Sequence, residues 1–233
     1  MTTTRGTEGY PAFRRKISNH QDEFLREVFE RHHAVIRIKK EAVVLRKLQI
    51  IFDTTLELSN QHGFQATSVR DLSVATGISM GSLYSYIESK DRLLSMIQSY
   101  GQVVVNRTLR IPEHLTVPLE RLRHLLRTHV YITEILQPWF YFSYMESRHF
   151  DPDARERAIA GELRTERLIS ELLQEGISQG AYRVENPELT AALIKPLLQE
   201  WYLKRWKYRR RRITVDDYAD GMIAFVESAV GGR

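Results

Sequence analysis

The sequence predicts an all-α fold, and three observations carry that reading. Apolar residues recur at helical spacing through most of the 233 residues. Residues that start and stop helices stand at the ends of those runs. No convincing series of alternating strands, glycine-rich phosphate loop or internal repeat interrupts them. The composition, 42% hydrophobic and 27% charged, is that of a folded globular chain.

Taken in order, residues 1–20 are rich in Thr, Gly and Arg and read as a flexible arm. A helical pattern then runs from Asp22 to Leu45, with Phe24, Leu25, Val28, Phe29, Ile36, Val43 and Leu45 as its apolar positions. It continues into an amphipathic helix from Arg46 to His62, closed by Gly63. Ser68-Val69-Arg70-Asp71 has the form of a capping box and opens a short helix with Val69, Leu72 and Ala75 on its apolar side. Gly77 stops it. Ser79 caps the next helix, through Ile87, and Ser89 caps one from Lys90 to about Arg107. Helical segments follow at 118–136, 138–149, 153–179, 187–208 and 215–230, separated by Pro, Gly and Asp-rich breaks. Three parts are expected: an N-terminal extension over 1–45, a domain of short helices over 46–106 and a helical domain over 107–233.

Bulk composition excludes several function classes. There is no cysteine, so disulfides, thiolate metal sites and thiol catalysis are ruled out. No apolar run approaches the roughly 18–20 residues that cross a bilayer, and the N-terminus lacks the apolar core of a secretory signal. No membrane partner and a cytoplasmic location are therefore expected. Metal chemistry finds no support either: His32 and His33 are adjacent, and His124 and His129 do not share a helix face. No cofactor is expected. The net charge is +5, and the whole excess lies in residues 1–47, where eleven Lys/Arg face six acids. A basic segment of this kind points to a polyanion.

"TGISMGSLYSYIESK", Thr76 to Lys90, contains a G-x-S-x-G match at Gly77 to Gly81. In serine hydrolases that motif needs a buried strand before it, so that the strained turn exposes the serine. Here Val69, Leu72 and Ala75 precede it at helical spacing. A helix-turn-helix instead asks for a short helix, a glycine turn, an apolar residue and a second helix rich in small residues. Ala75, Gly77, Ile78 and "SMGSLYSYI" supply these in order. Ser79 then caps a recognition helix, Gly81 and Ser82 permit close approach to DNA, and Tyr84, Tyr86 and Lys90 reach phosphates. A hydrolase using Ser79 and a helical scaffold without DNA binding are the alternatives.

The stretch Ile50 to Leu94 resembles the N-terminal domain of the TetR/AcrR family of transcriptional regulators. The resemblance rests on Gly63-Phe64, the Thr67–Asp71 start, Gly77 and the Tyr84-x-Tyr86…Ser89-Lys90 run. It implies DNA contacts from Thr67 or Ser68 and Arg70, then Ser79, Met80, Gly81, Ser82, Tyr84, Ser85 and Tyr86, with Lys90 on the backbone. Ile87 stands in place of the usual Phe and Ser59 in place of an aromatic; Met80 and Ser85 occupy positions where Lys or His is frequent. Residues 46–91 hold four cations and five acids, so this reader gains little from counterion release. Arg14, Arg15 and Lys16 on the basic arm are expected to supply phosphate or minor-groove contacts instead.

Tyr131 to Phe150 contains seven of the 23 aromatics, too many for one helix face. Core packing accounts for them, and so does a ligand chamber; the resemblance implies the latter. Trp139, Phe142, Tyr144, Met145 and Arg148 are the candidate lining, with Trp201 and Tyr202 from "QEWYLKRWKYRRRR". The expected effector is an acyl-CoA thioester or an aromatic or apolar acid. Arg148, His149, Arg164 and Arg167 could meet an anion, or be solvated helix charges. Stripes of Leu193, Leu197 and Trp201, and of Tyr218, Met222, Phe225 and Ala229, are expected to pair two copies through the last two helices. The resemblance thus implies a homodimeric, effector-released repressor of a palindromic double-stranded DNA operator, not an enzyme.

Overall fold

The computed structural model describes residues 9–38 and 40–231. Among them are twelve α-helices and no strand: α1 (Tyr10–Asn19), α2 (Gln21–His32), α3 (Glu41–His62), α4 (Val69–Thr76), α5 (Met80–Ile87), α6 (Lys90–Thr108), α7 (Pro118–Ile135), α8 (Gln137–Glu146), α9 (Pro152–Ser178), α10 (Pro187–Leu203), α11 (Arg205–Arg210) and α12 (Val215–Ala229). The chain forms two compact units. The first takes residues 20–107 and 138–161; the second takes residues up to 19, 108–137 and from 162 onward. Residues 1–45, expected as the N-terminal extension, are divided between them.

In the first unit α2 packs on α3, α3 on α4 and α4 on α5. Val28, Val44, Leu48, Ile51, Leu83, Ile87, Leu93 and Met96 are almost wholly buried, and burying each stabilises by about 1.5–3 kcal/mol. Helical spacing puts these side chains on one face of each helix. The single long pattern expected over 22–45 is broken at His33 to Lys40, and α3 begins at Glu41 rather than Arg46. Ile36, buried in that loop, mimics a helical position, and its burial fixes the connection without a proline or glycine.

Phe64, Phe142 and Phe150 form an aromatic row, with ring centroids 5.7 and 5.6 Å apart. Trp139 lies over Gly101 of α6 and donates its indole N–H to the Ile97 carbonyl at 2.9 Å.

The second unit is built around α7, which meets α1, α10 and α12. Positions 123, 127 and 131 succeed one another at helical spacing and face α12. Arg123 pairs with Glu227, Arg127 with Asp220 at 2.6 Å, and the Tyr131 hydroxyl donates to Asp216. Residues 10–19, expected as part of a flexible arm, are helical. The Tyr10 N–H donates to Asp216 at 3.2 Å, and the rings of Tyr10 and Phe13 lie 5.6 and 5.4 Å from Tyr131. Tertiary docking overrides weak local propensity here. The remainder of the expected arm, residues 1–8, lies outside the described residues.

Residues 187–208, expected as one helix, divide at Lys204 into α10 and α11. The bend lets Tyr208 pack on Trp201 and Tyr218, at 5.3 and 4.8 Å.

Candidate nucleic-acid interface and effector unit

The α4–α5 pair is held in shape by bonds that its own sequence supplies. Ser68 and Asp71 form a complete capping box: the Asp71 N–H donates to the Ser68 hydroxyl at 3.1 Å, and the Ser68 N–H to the Asp71 carboxylate at 2.9 Å. The Ser68 hydroxyl, at 2.6 Å, and then its N–H donate to the Asp71 carboxylate, and these two bonds hold Asp71 below the usual carboxylate range. Gly77 adopts φ 67°, the left-handed conformation that ends α4. Across that turn the Ser73 hydroxyl donates to the Ile78 carbonyl at 2.8 Å, and the Ile78 N–H donates to the Thr76 hydroxyl at 3.2 Å. The Ser79 hydroxyl accepts the Ser82 N–H at 3.3 Å. It caps α5, and a helix rather than a strand precedes it, so it lacks the elbow geometry of a nucleophile.

With Leu72, Ile78, Leu83 and Ile87 buried beneath, the pair exposes Arg70, Ser79, Met80, Gly81 and Tyr84, while Ser82 and Ser85 are half-buried. An added Cβ at Gly81 would meet nothing within 4 Å. Three residues expected to meet DNA are engaged within the protein. Thr67 is buried and its hydroxyl donates to the Gly63 carbonyl at 3.0 Å. Tyr86 is only 4% exposed and serves as core. Ser68 keeps its exposure, but its hydroxyl is engaged by Asp71 at 2.6 Å. Lys90 donates to the Gln65 carbonyl at 2.9 Å and lies 4.7 Å over the Phe64 ring. Partial burial pushes its ammonium below the ordinary lysine range.

Two features escaped the sequence reading. Val74, 80% exposed on α4, presents an unsupported apolar side chain beside Arg70. The Arg37 N–H donates to the Ser85 carbonyl of α5 at 2.9 Å, which places the α2–α3 loop against this helix. Arg14 and Arg15 are instead on α1, in the second unit.

The seven candidate effector residues are divided between the two units. Trp139, Phe142, Tyr144, Met145 and Arg148 belong to the first unit, Trp201 and Tyr202 to the second. Trp139 and Phe142 are engaged in the packing described above. Tyr144 and Met145 are exposed, and the Arg148 side chain is beside His149 at 2.9 Å. Trp201 is fully buried. Its indole donates to Glu134 at 2.9 Å, and Arg205 stacks on it at 4.4 Å while bonding the same carboxylate at 2.8 and 2.9 Å. The cation cluster is thus partly neutralised from within: Lys204 and Lys207 both pair with Glu200. Arg209 to Arg212 are exposed.

The second unit also buries polar groups that periodicity did not reveal. The Lys195 ammonium is 3.2 Å from Glu162, whose carboxylate accepts Gln199 at 2.8 Å. His129 is buried close to Lys195; desolvation first, then that cation, pushes its imidazole well below the ordinary range. Thr133 and Thr165 are buried one turn along from His129 and Glu162.

Leu189, Leu193 and Phe225 are 56%, 66% and 63% exposed. Trp201 and Met222, expected on the same stripes, are interior.

Among the described residues no group of three or more His, Asp or Glu could hold a metal ion. None of the described helices is long and apolar enough to cross a membrane.

Comparison with known proteins gives a consistent result. Residues 51–97 match the family model for bacterial regulatory proteins of the tetR family. Residues 116–229 match that for the tetracyclin repressor-like C-terminal domain. Together they cover more than two thirds of the chain. The HTH-type transcriptional regulator HbdR of Aromatoleum sp. (strain CIB) is 25% identical over 187 residues, 78% of this chain and 80% of that protein. The HTH-type transcriptional repressor KstR2 of Mycolicibacterium smegmatis (strain ATCC 700084 / mc(2)155) is 25% identical over 148 residues, 62% of this chain and 71% of its own. Among solved structures, AibR in complex with isovaleryl coenzyme A and operator DNA superposes with a TM-score of 0.66 at 23% identity, covering 76% of this chain and 96% of that one. At that identity the likeness speaks for the fold.

Proposed function

The chain belongs to the TetR family of bacterial regulatory proteins, and from that membership we propose that it is a homodimeric cytoplasmic repressor released from a palindromic operator by an effector. As a member it is a ligand-responsive, DNA-binding transcriptional regulator. The observation that carries the rest is the α4–α5 pair. Its turn is locked by left-handed Gly77 and by side-chain bonds, yet Arg70, Val74, Met80, Gly81 and Tyr84 are left uncovered on one small element. We assign the reading face to these residues with Ser79, Ser82 and Ser85. Val74 and Met80 suit thymine methyl groups, Arg70 suits a guanine edge or phosphate, and the Tyr84 hydroxyl suits a phosphate.

The repressor role is supported by the name of the KstR2 relative. Dimerisation is assigned to α10 and α12, whose exposed Leu189, Leu193 and Phe225 are apolar surface that a second copy would remove from water. Two-fold pairing would place two α5 helices on half-sites about one helical turn, or a multiple, apart.

For the effector we propose an acyl-CoA thioester, supported by the isovaleryl coenzyme A in the AibR structure and by exposed Arg209 to Arg212. His129, Lys195 and Thr165 are the buried polar groups on which an acyl-chain carbonyl could be held. A ligand that binds one spacing of the dimer better than the other shifts the population away from DNA.

The test is fluorescence anisotropy of the full chain on DNA from upstream of its own gene, against a scrambled duplex, at near-physiological salt. Preference for the first duplex, reversed by an acyl-CoA, is expected. Equal binding to both, unmoved by any thioester, would overturn the reading of both sites.

A further inference from the structure

The recognition helix, MGSLYSYI, carries no charge, and residues 48–91 hold two cations against five acids. Residues 37–47, immediately before, hold five cations against one acid. A DNA reader draws much of its affinity from neutralised phosphates, so the position of this second segment matters. The structure sets the start of this segment against α5, where the Arg37 N–H donates to the Ser85 carbonyl at 2.9 Å.

Both ends of the loop are fastened. On the α2 side Phe24, Leu25 and Val28 are buried, and Glu27 pairs with Arg107 of α6 at 2.7 Å. On the α3 side Glu41 pairs with Arg26 of α2 at 2.7 Å. Ile36 is 7% exposed and pins the middle. Arg26 and Arg31 are thus committed to Glu41 and Glu27. Arg37 and Lys40 are exposed and pair with no carboxylate among the described residues.

We propose that the α2–α3 loop is a second part of the DNA interface, with Arg37 and Lys40 supplying the phosphate contacts that the recognition helix lacks. The backbone bond alone has a local purpose, since Ser85 has one of the last four carbonyls of α5, which have no partner within the helix. That purpose needs a peptide N–H and does not need cations. Arg37, held by its backbone at an uncharged helix, and Lys40 three residues on, both exposed, provide what phosphates require. Because phosphate contacts carry no base information, this loop sets affinity and register and leaves sequence choice to α5.

The proposal rests on reading α5 as the recognition helix, and one experiment separates the two. The full chain is titrated with its operator and with a scrambled duplex over a range of salt concentrations. Variants are Arg37→Ala/Lys40→Ala, the charge-retaining Arg37→Lys/Lys40→Arg, Arg14→Ala/Arg15→Ala, and Met80→Ala/Tyr84→Ala. Thermal melts confirm folding. With two such contacts from each protomer of the dimer, their loss lowers the slope of log K against log salt by about 3.6. We expect that loss, with the operator-to-scrambled ratio retained, only in Arg37→Ala/Lys40→Ala; the charge-retaining pair keeps the wild-type slope. An unchanged slope, or a fall confined to Arg14→Ala/Arg15→Ala, would overturn the proposal. If the wild type shows no preference between duplexes, the reading of α5 fails, while the slope on either duplex still decides the loop.

Discussion

The same substitution at two helical glycines should move stability in opposite directions. On helix propensity alone, Gly→Ala in a helix interior stabilises by about 1 kcal/mol. Gly81, in the first turn of α5, should show part of that gain, because a Cβ there meets nothing within 4 Å. At Gly101 in α6 the new carbon would be 1.8, 2.2 and 2.4 Å from Cε2, Cζ2 and Cδ2 of Trp139, where ordinary contact is about 3.5–4 Å. The indole cannot yield freely. Its N–H is bonded to the Ile97 carbonyl at 2.9 Å, and its ring is edge-on to Phe140 at 5.0 Å. Displacing it gives up a hydrogen bond of about 1 kcal/mol and adds overpacking strain of about 1–3 kcal/mol. After the propensity gain, Gly101→Ala should destabilise by about 1–3 kcal/mol. Urea unfolding followed by circular dichroism measures both variants, with Trp139→Leu as the second arm of a double-mutant cycle. In the Trp139→Leu background the Gly101→Ala penalty should shrink by at least half. A Gly101→Ala chain as stable as wild type would refute the argument. Function should separate the two again: Gly81→Ala, though more stable, should bind the operator about tenfold more weakly, equivalent to about 1.4 kcal/mol. Unchanged affinity would mean that DNA does not approach Gly81.

Three further outcomes are expected. Phe225→Glu, on an exposed apolar position of α12, should convert the dimer to a folded monomer in analytical ultracentrifugation; a persistent dimer would move the interface elsewhere. The His129 imidazole is held well below its ordinary value of 6.5 by burial, so below that value the unfolded state binds more protons than the folded one. Its contribution is present above pH 6.5 and lost as pH falls through it, at up to about 1.4 kcal/mol per pH unit. Half-buried His32 and His124 act in the same direction. Urea midpoints should fall on acidification, and less so in His129→Gln; pH-independent midpoints would contradict this. Ser79→Ala should cost about 1 kcal/mol through loss of the cap on α5 and leave ester hydrolysis at background, whereas loss of a measurable esterase activity would return Ser79 to a nucleophile's role.

What was legible in the sequence was local. Ser68, Asp71, Gly77 and Ser79 act within three or four residues of themselves, so their spacing alone announces the capping box, the left-handed turn and the start of the recognition helix. Long-range partners were hidden. Helicity at Tyr10–Asn19 depends on Tyr131 and Asp216, more than a hundred residues away. Trp201 looked like a ligand-facing aromatic among cations, but Glu134 takes both its indole and Arg205. Thr67 and Tyr86 have the chemistry of DNA contacts and the burial of core. The loop at Ile36 kept helical spacing through a segment that is not helical, because one buried side chain on a loop has the same sequence signature as one on a helix. Burial of Lys195 beside Glu162 was invisible, since one lysine in an amphipathic stretch reads as solvated.

The most direct test of the central claim is a selection of bound genomic fragments with the full chain, run beside Met80→Ala/Tyr84→Ala. The account predicts one enriched motif with two-fold symmetry, its half-sites about one DNA turn or a multiple apart, that the variant no longer enriches. Recovery of fragments without a common motif, or of the same motif by the variant, would contradict it.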